Sequence, residues 1–410
     1  MRRMLPALPK FRLLRSMVPG IISAASDNDP TTVATLAVIG STTVYALSWL
    51  VLLVIPMLAV VQAISSQIGV VAKGSGLEDI VRRRYGAVSA LVILAAMLVV
   101  NVLTFAADLE GGSAALHLLT GLPYQWWIVP LGGLSAALLI WSNYDRIQSI
   151  LIYIPLAFLA YVAAAFVSHP DWHRLLVYSL VPHFERSPEY TAGAIAVLGT
   201  TLTAYAYVWQ GIEIAEDRPP LRRLGLVQIN ATGGAIAAGI IFWFIVIATG
   251  ATLGIHHRTV ETAEQAASAL APLAGRFAST LFGIGLLGSA LLALPVLLAT
   301  SAYVVAEMFG RVGQLNAKFF QARLFYVTML VVATIGCGVA FAGVPPIRLL
   351  FISSIAGGIA TPITMVFMLL AAGDEQVMHG TPVSPWLKGA GWATTAVVSV
   401  AAGVFLISIL

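Results

Sequence analysis

The sequence predicts an all-α polytopic membrane protein of about eleven transmembrane helices, arranged as two inverted five-helix repeats that each begin with a broken helix. Three observations lead there. Of 410 residues, 59% are hydrophobic and only 10% are charged, against roughly 25% charged in soluble domains. Apolar runs long enough to cross a bilayer recur from end to end; they are too long for barrel strands, and a backbone in lipid must satisfy its own hydrogen bonds. The first and the sixth of these runs are interrupted by polar residues.

Taken in order, the candidate spans cover 18–41, 46–71, 87–118, 123–141, 147–168, 190–214, 226–252, 279–306, 322–342, 346–371 and 389–410. Residues 1–17 read as a basic cytoplasmic tail without a cleavage pattern, 18–371 as the core with repeats at about 18–168 and 190–371, and 372–410 as a loop and one additional helix. With the N-terminus inside, 17 of the 22 basic residues fall on the cytoplasmic side, among them Lys73, Arg82, Arg83, Arg84, Arg222 and Arg223. That is the asymmetry the positive-inside rule expects, and it makes the longer loops 168–190 and 254–275 external. A net charge of +4 scattered over short loops offers no face for nucleic acid. One cysteine, Cys337, excludes an internal disulfide and a thiolate metal cluster. No stretch fits a soluble domain, so the expected partners are the lipid bilayer and a small solute, with no obligate protein partner and no resident cofactor evident.

The first span carries Ser26-Asp27-Asn28-Asp29-Pro30-Thr31-Thr32. Carboxylates at membrane depth are costly and mark function by default. Pro30 removes an amide donor and disfavours helical geometry at Asp29, so the span unwinds into two half-helices. Freed carbonyls beside carboxylates make an oxygen-rich cation site; the bland alternative is that Asp27 or Asp29 only caps the second half. The sixth span holds Thr200, Thr201, Thr203, Tyr205 and Tyr207 before Trp209-Gln210, with no proline; its threonines could instead bond back to the preceding turn. Two breaks five spans apart imply inverted repeats with a substrate between the breaks.

In the third span Asn101, Thr104 and Asp108 form a polar stripe at i, i+3 and i+7, beside Gly111 and Gly112. The stripe is a polar path beside the site or, equally, a structural pairing of Asp108 with a basic group. Gln62, Ser66 and Gly69 read as packing, and Glu213, Glu216, Asp217 and Glu307 as solvated ionic clusters or an inner gate near arginines, Glu307 with Arg311. All seven histidines lie in loops or at span ends, and none of the ten methionines falls at 18–56 or 98–307. Carboxylate, carbonyl, hydroxyl and water suit Mg²⁺, Ca²⁺ or Mn²⁺ better than Cu, Zn or Fe(II).

These residues resemble the Nramp family of divalent-metal transporters, which share the LeuT-like architecture. Where the family has an Asp-Pro-Gly-Asn motif this sequence has Asp29-Pro30-Thr31-Thr32, which matches at Asp and Pro only, and where it usually has Met-Pro-His stands Thr203-Ala204-Tyr205. The likeness is closer to the Nramp-related magnesium transporter branch, in the acidic run Asp27-Asn28-Asp29-Pro30, in Trp209-Gln210, in Ala107-Asp108-Leu109 and in Ala302-Tyr303 with Ala306-Glu307, and it runs from about residue 19 to 371. It implies a LeuT-like transport core in which Asp29 is the principal metal ligand. Thr32, Thr203, the Ala204 carbonyl and Asp27 or Asn28 complete the shell, and Tyr205, Tyr207, Gln210 and Asp108 line the substrate pathway. Thr203 in place of Met and Tyr205 in place of His imply a harder ion and transport uncoupled from protons. Gly357 stands where the branch often has a polar residue. The expected function is alternating-access transport of Mg²⁺ or Mn²⁺ across the plasma membrane, with no enzyme activity. The alternatives are an Na⁺-coupled carrier of a small organic solute, and a Mg²⁺-dependent intramembrane diphosphate enzyme. The last lacks a second acidic motif and a mid-span Lys or Arg.

Overall fold

The computed structural model describes residues 28–72, 74–141, 157–311, 313, 315 and 319–409. Among them the regular structure is helical throughout. The sequence-predicted spans appear as α1 (Pro30–Thr43), α2 (Ser48–Val71), α4 (Ala87–Thr120), α5 (Gln125–Trp141), α6 (Leu159–Val167), the pair α8 (Pro188–Thr201) and α9 (Ala204–Asp217), α10 (Leu224–Thr252), α11 (Ala278–Met308), α12 (Arg323–Ala340), α13 (Pro346–Gly373) and α14 (Pro385–Ser408). Between spans lie two amphipathic helices, α3 (Leu77–Tyr85) and α7 (Trp172–Leu180). The second occupies what the sequence presents as a loop, because Asp171 caps it by accepting the Arg174 amide. Eight of the described helical segments are long and apolar enough to cross a bilayer. At 1.5 Å per residue α4 is about 51 Å long, which exceeds the hydrocarbon thickness and requires tilt or protrusion.

Two groups of helices form the molecule. In one, α10 lies along α2 and α1, and α9 along α2; in the other, α11 and α12 lie along α4, with α5 beside them. Helix α13 touches both, packing on α8, α4 and α1. The broken pair α8–α9 and the span containing α11 are central, with 78% of their apolar windows buried, whereas α14 is peripheral at 28%.

Small residues decide how close the central helices come. A Cβ on Gly199 would stand 1.9 Å from the Ser354 carbonyl oxygen and 2.2 Å from the Gly358 amide nitrogen, so α8 and α13 meet backbone to backbone. Gly357 belongs to the same contact, 3.0 Å from the Gly199 carbonyl by the same measure. On α4, a Cβ at Gly111 would stand 2.8 Å from that of Pro30, which seats the start of α1 against the middle of α4.

Candidate functional site

The site grows from the start of α1, before which residues 18–27 of the first span lie outside the described residues, and from the break between α8 and α9. Asp29 is extended (φ −68°, ψ 164°) and is the N-cap of α1, with Pro30 at the first helical position, where the missing amide costs nothing. Its Oδ1 accepts the Thr32 backbone N–H at 2.6 Å, so the capping role is real. Its Oδ2 accepts the Tyr205 hydroxyl at 2.5 Å from the first turn of α9. The second break falls at Leu202–Thr203 without a proline: Leu202 ends α8 and Thr203, with ψ 136°, opens α9. Asp29 is 2% exposed, so these bonds form out of water.

The polar stripe of α4 is a three-way seam. Asn101 donates to the Ser301 hydroxyl of α11 at 3.0 Å, Thr104 and Ser353 of α13 share a bond of 2.9 Å, and Asp108 Oδ1 accepts both the backbone N–H and the hydroxyl of Thr31, at 2.9 and 2.5 Å. The basic partner considered for Asp108 is replaced by Thr31, because the first turn of α1 presents two donors there. Across the breaks Thr32 and Thr200 hydroxyls are 2.9 Å apart, and Thr35 and Ser354 hydroxyls 2.6 Å. The result is a cleft of about 180 Å³ lined by Asp29, Thr31, Thr203, Tyr205, Ser353 and Ser354 among others, too narrow for a water-sized sphere. Every polar side-chain atom on its wall is oxygen.

Of the other expected ligands, Asn28 is buried and its carbonyl accepts the Ser289 hydroxyl at 2.5 Å. Ala204 begins α9 beside the cleft, and Thr203 is the residue of the break that lines it. Asp27 lies outside the described residues. No three His, Cys, Asp or Glu side chains converge among the described residues, and Asp29 is the one carboxylate on the wall of the cleft. Ser353 and Ser354 were legible only as a serine pair inside the tenth apolar run, flanked by Ile352 and Ile355.

A family model described as natural resistance-associated macrophage protein-like, Nramp, matches residues 20–408. The chain belongs to the Nramp family. It is 29% identical over 421 residues to the divalent metal cation transporter MntH of Ralstonia nicotianae, covering 97% of this chain and 91% of that one. The crystal structure of the Eremococcus coleocola manganese transporter superposes with a TM-score of 0.74 at 18% identity, covering 99% and 88% of the two chains. The inward-facing structure of Mhp1, a LeuT-fold transporter, gives 0.61 at 15%, covering 96% and 89%. This Nramp-family chain is therefore a multi-pass membrane protein of LeuT-like fold, and its relatives are named as transporters, not enzymes.

The remaining residues that the sequence places on a pathway in this Nramp chain lie along the α9–α2 seam. Tyr207 is 1% exposed, and its carbonyl accepts the Ser65 hydroxyl at 2.5 Å. Gln210 is half-buried and donates to Gln62 at 3.3 Å, so Gln62 bonds where the sequence suggested packing alone. Beyond them a pocket of about 280 Å³, lined by Ser65, Gly69, Val208 and Gly211, shares Ser75 and Gly76 with a cavity of about 750 Å³. That cavity holds Asp79, Arg83, Glu216, Tyr303, Glu307 and Arg311. Glu307 does not pair with Arg311: its carboxylate lies over the start of α3 and accepts the Asp79 N–H at 3.4 Å. Gly76 makes this possible, since a Cβ there would come 2.0 Å from Glu307 Oε1. Glu216 accepts the Tyr303 hydroxyl at 2.5 Å. Burial, and secondly the neighbouring Glu307, push the Glu78 carboxyl up to about 9.

Proposed function

We propose that this chain carries a hard divalent cation, Mn²⁺ or Mg²⁺, by alternating access, with Asp29 as its anionic ligand. The observation that carries the reading is the cleft between the start of α1 and the α8–α9 break: one buried carboxylate, hydroxyl-bearing residues from five helices, and neither sulfur nor imidazole on the wall. Oxygen donors select Mg²⁺ and Mn²⁺ over softer ions, and Mg²⁺ keeps most of its water. A partly hydrated ion needs the cleft to widen, which fits a site that opens to each side in turn. The relatives named as divalent metal cation and manganese transporters support the same class of cargo. Thr203 and Tyr205, where the family usually has Met and His, support a hard ion and transport without a coupled proton. Asp27, Asn28, Thr32, Thr203 and the Ala204 carbonyl are read as the rest of the shell. The pathway runs past Tyr207 and Gln210 to the α3 end, which the arginine distribution assigns to the cytoplasm of a plasma-membrane protein.

The test is flux into vesicles containing purified protein, with Mn²⁺, Mg²⁺ and Ca²⁺ compared and internal pH recorded. Mn²⁺ or Mg²⁺ enters without acidification, and Asp29→Asn lowers the initial rate by more than about tenfold. Undiminished flux in Asp29→Asn would overturn the site; acidification in step with metal entry would overturn the uncoupled mechanism.

A further inference from the structure

The two donors on the Asp29 carboxylate differ in kind. The Thr32 N–H lies three residues along the chain and is fixed by the helix it begins. The Tyr205 hydroxyl comes from 176 residues away, on the other broken span, at the tip of a side chain that itself lines the cleft. That one bond therefore ties the start of α1 to the start of α9 across the space where an ion would sit. A phenol proton and a cation compete for the same carboxylate electron pairs. The phenol differs from a cation in being permanently attached.

We propose, on the reading of Asp29 as the ion ligand, that Tyr205 is a resident substitute for the cation. Its hydroxyl donates to Oδ2 when the ion has left and yields that oxygen when an ion arrives. The role belongs to one step of the cycle. A carrier that moves ions in net amount must return unloaded, and during that return the carboxylate is closed off from water on both sides, where a charge without donors is penalised. Thr32 supplies one donor by local geometry; Tyr205 supplies the other and draws the two half-helices together as it does so. Loaded movement in either direction makes no use of the phenol bond, because the ion then occupies Oδ2. Tyr205 thus acts as a positioning residue for the empty transporter and, at equilibrium, as a competitor of the cargo.

Tyr205→Phe keeps the ring and removes the proton. In vesicles, uptake of radioactive Mn²⁺ is measured into a metal-free lumen, which requires empty return, and into a lumen preloaded with unlabelled Mn²⁺, which does not. The ratio of exchange to net uptake rises about tenfold in Tyr205→Phe, and Mn²⁺ binds the detergent-purified variant several-fold more tightly by calorimetry. An unchanged ratio, an equal loss in both modes, or weaker binding overturns the proposal; the last two would mark Tyr205 as a ligand or a packing residue. Asp29→Asn in the same assay loses both modes. Should it keep both, the ion-site reading fails, whereas a failure confined to Tyr205→Phe leaves that reading standing.

Discussion

At the centre of the bundle Asp29 and Asp108 are held by amides and hydroxyls, from Thr32 and Tyr205 for one and Thr31 for the other. At the α3 end Asp79 takes two guanidinium groups, from Arg82 at 2.9 Å and Arg83 at 2.8 Å, while Glu307 sits on a helix N-terminus. Both arrangements give these carboxylates hydrogen-bond donors, although Asp108 Oδ2 is left without one, and they leave different fields behind. Neutral donors stabilise a negative charge without cancelling it, so the centre stays attractive to a cation in a medium of low dielectric constant. Arginines cancel it, and the cavity of about 750 Å³ around them is roomy enough for water. On the proposed reading, an ion is held where the charge is solvated by dipoles and is passed on where it is balanced by cations.

The largest expected effect tests how rigid the centre is. Gly199→Ala sets a methyl against backbone atoms of α13, whereas Gly76→Ala at the α3 end meets only the tip of Glu307, which can turn aside. Overpacking against backbone costs about 1–3 kcal/mol or more. We expect Gly199→Ala to lower the melting temperature in detergent and abolish vesicle flux, and Gly76→Ala to do much less; equal damage would erase the contrast. A smaller effect concerns Glu78, whose pKa is raised on folding. The folded protein then holds a proton that the unfolded chain releases, so stability is greatest below the ordinary carboxylate range and is lost as pH rises toward about 9. Glu78→Gln should flatten that dependence and raise the melting temperature at pH 8 by roughly 2–4 °C. A variant that melts in parallel with the parent from pH 5 to 9 would refute it. The smallest effect is at the surface, where Arg84 bonds Asp374 and holds its carboxyl below the usual range. Arg84→Ala should leave flux and melting unchanged within error, since exposed ion pairs contribute little.

Much of this was legible in the sequence. Asp29 before Pro30 announced the capped start of α1 because proline's missing amide and a mid-membrane carboxylate are both visible in a single residue string. The second break was legible from its run of threonines and tyrosines together with its spacing from the first, a weaker signal since Leu202–Thr203 carries no proline. The Asp108 stripe could be placed on one face of α4, but its partners on α11, α13 and α1 could not, because they lie 77 to 249 residues away. Gly357 read as a lost polar residue, and its place in the α8–α13 contact depends on two helices approaching, which no local pattern records. Glu307 beside Arg311 looked like a solvated pair for the same reason: proximity in sequence says nothing about the helix start that packs over its carboxylate.

The meeting of Gly199 with Ser354 and Gly358 has a mechanical consequence. Two helices separated by side chains can slide, because side chains change rotamer and refill the gaps. Two backbones in direct contact have no such bearing: any shift along the axis must first lift one helix off the other. Helices α8 and α13 are therefore geared together, and the α8 half of the sixth span can swing only by carrying the tenth span with it as a single lever.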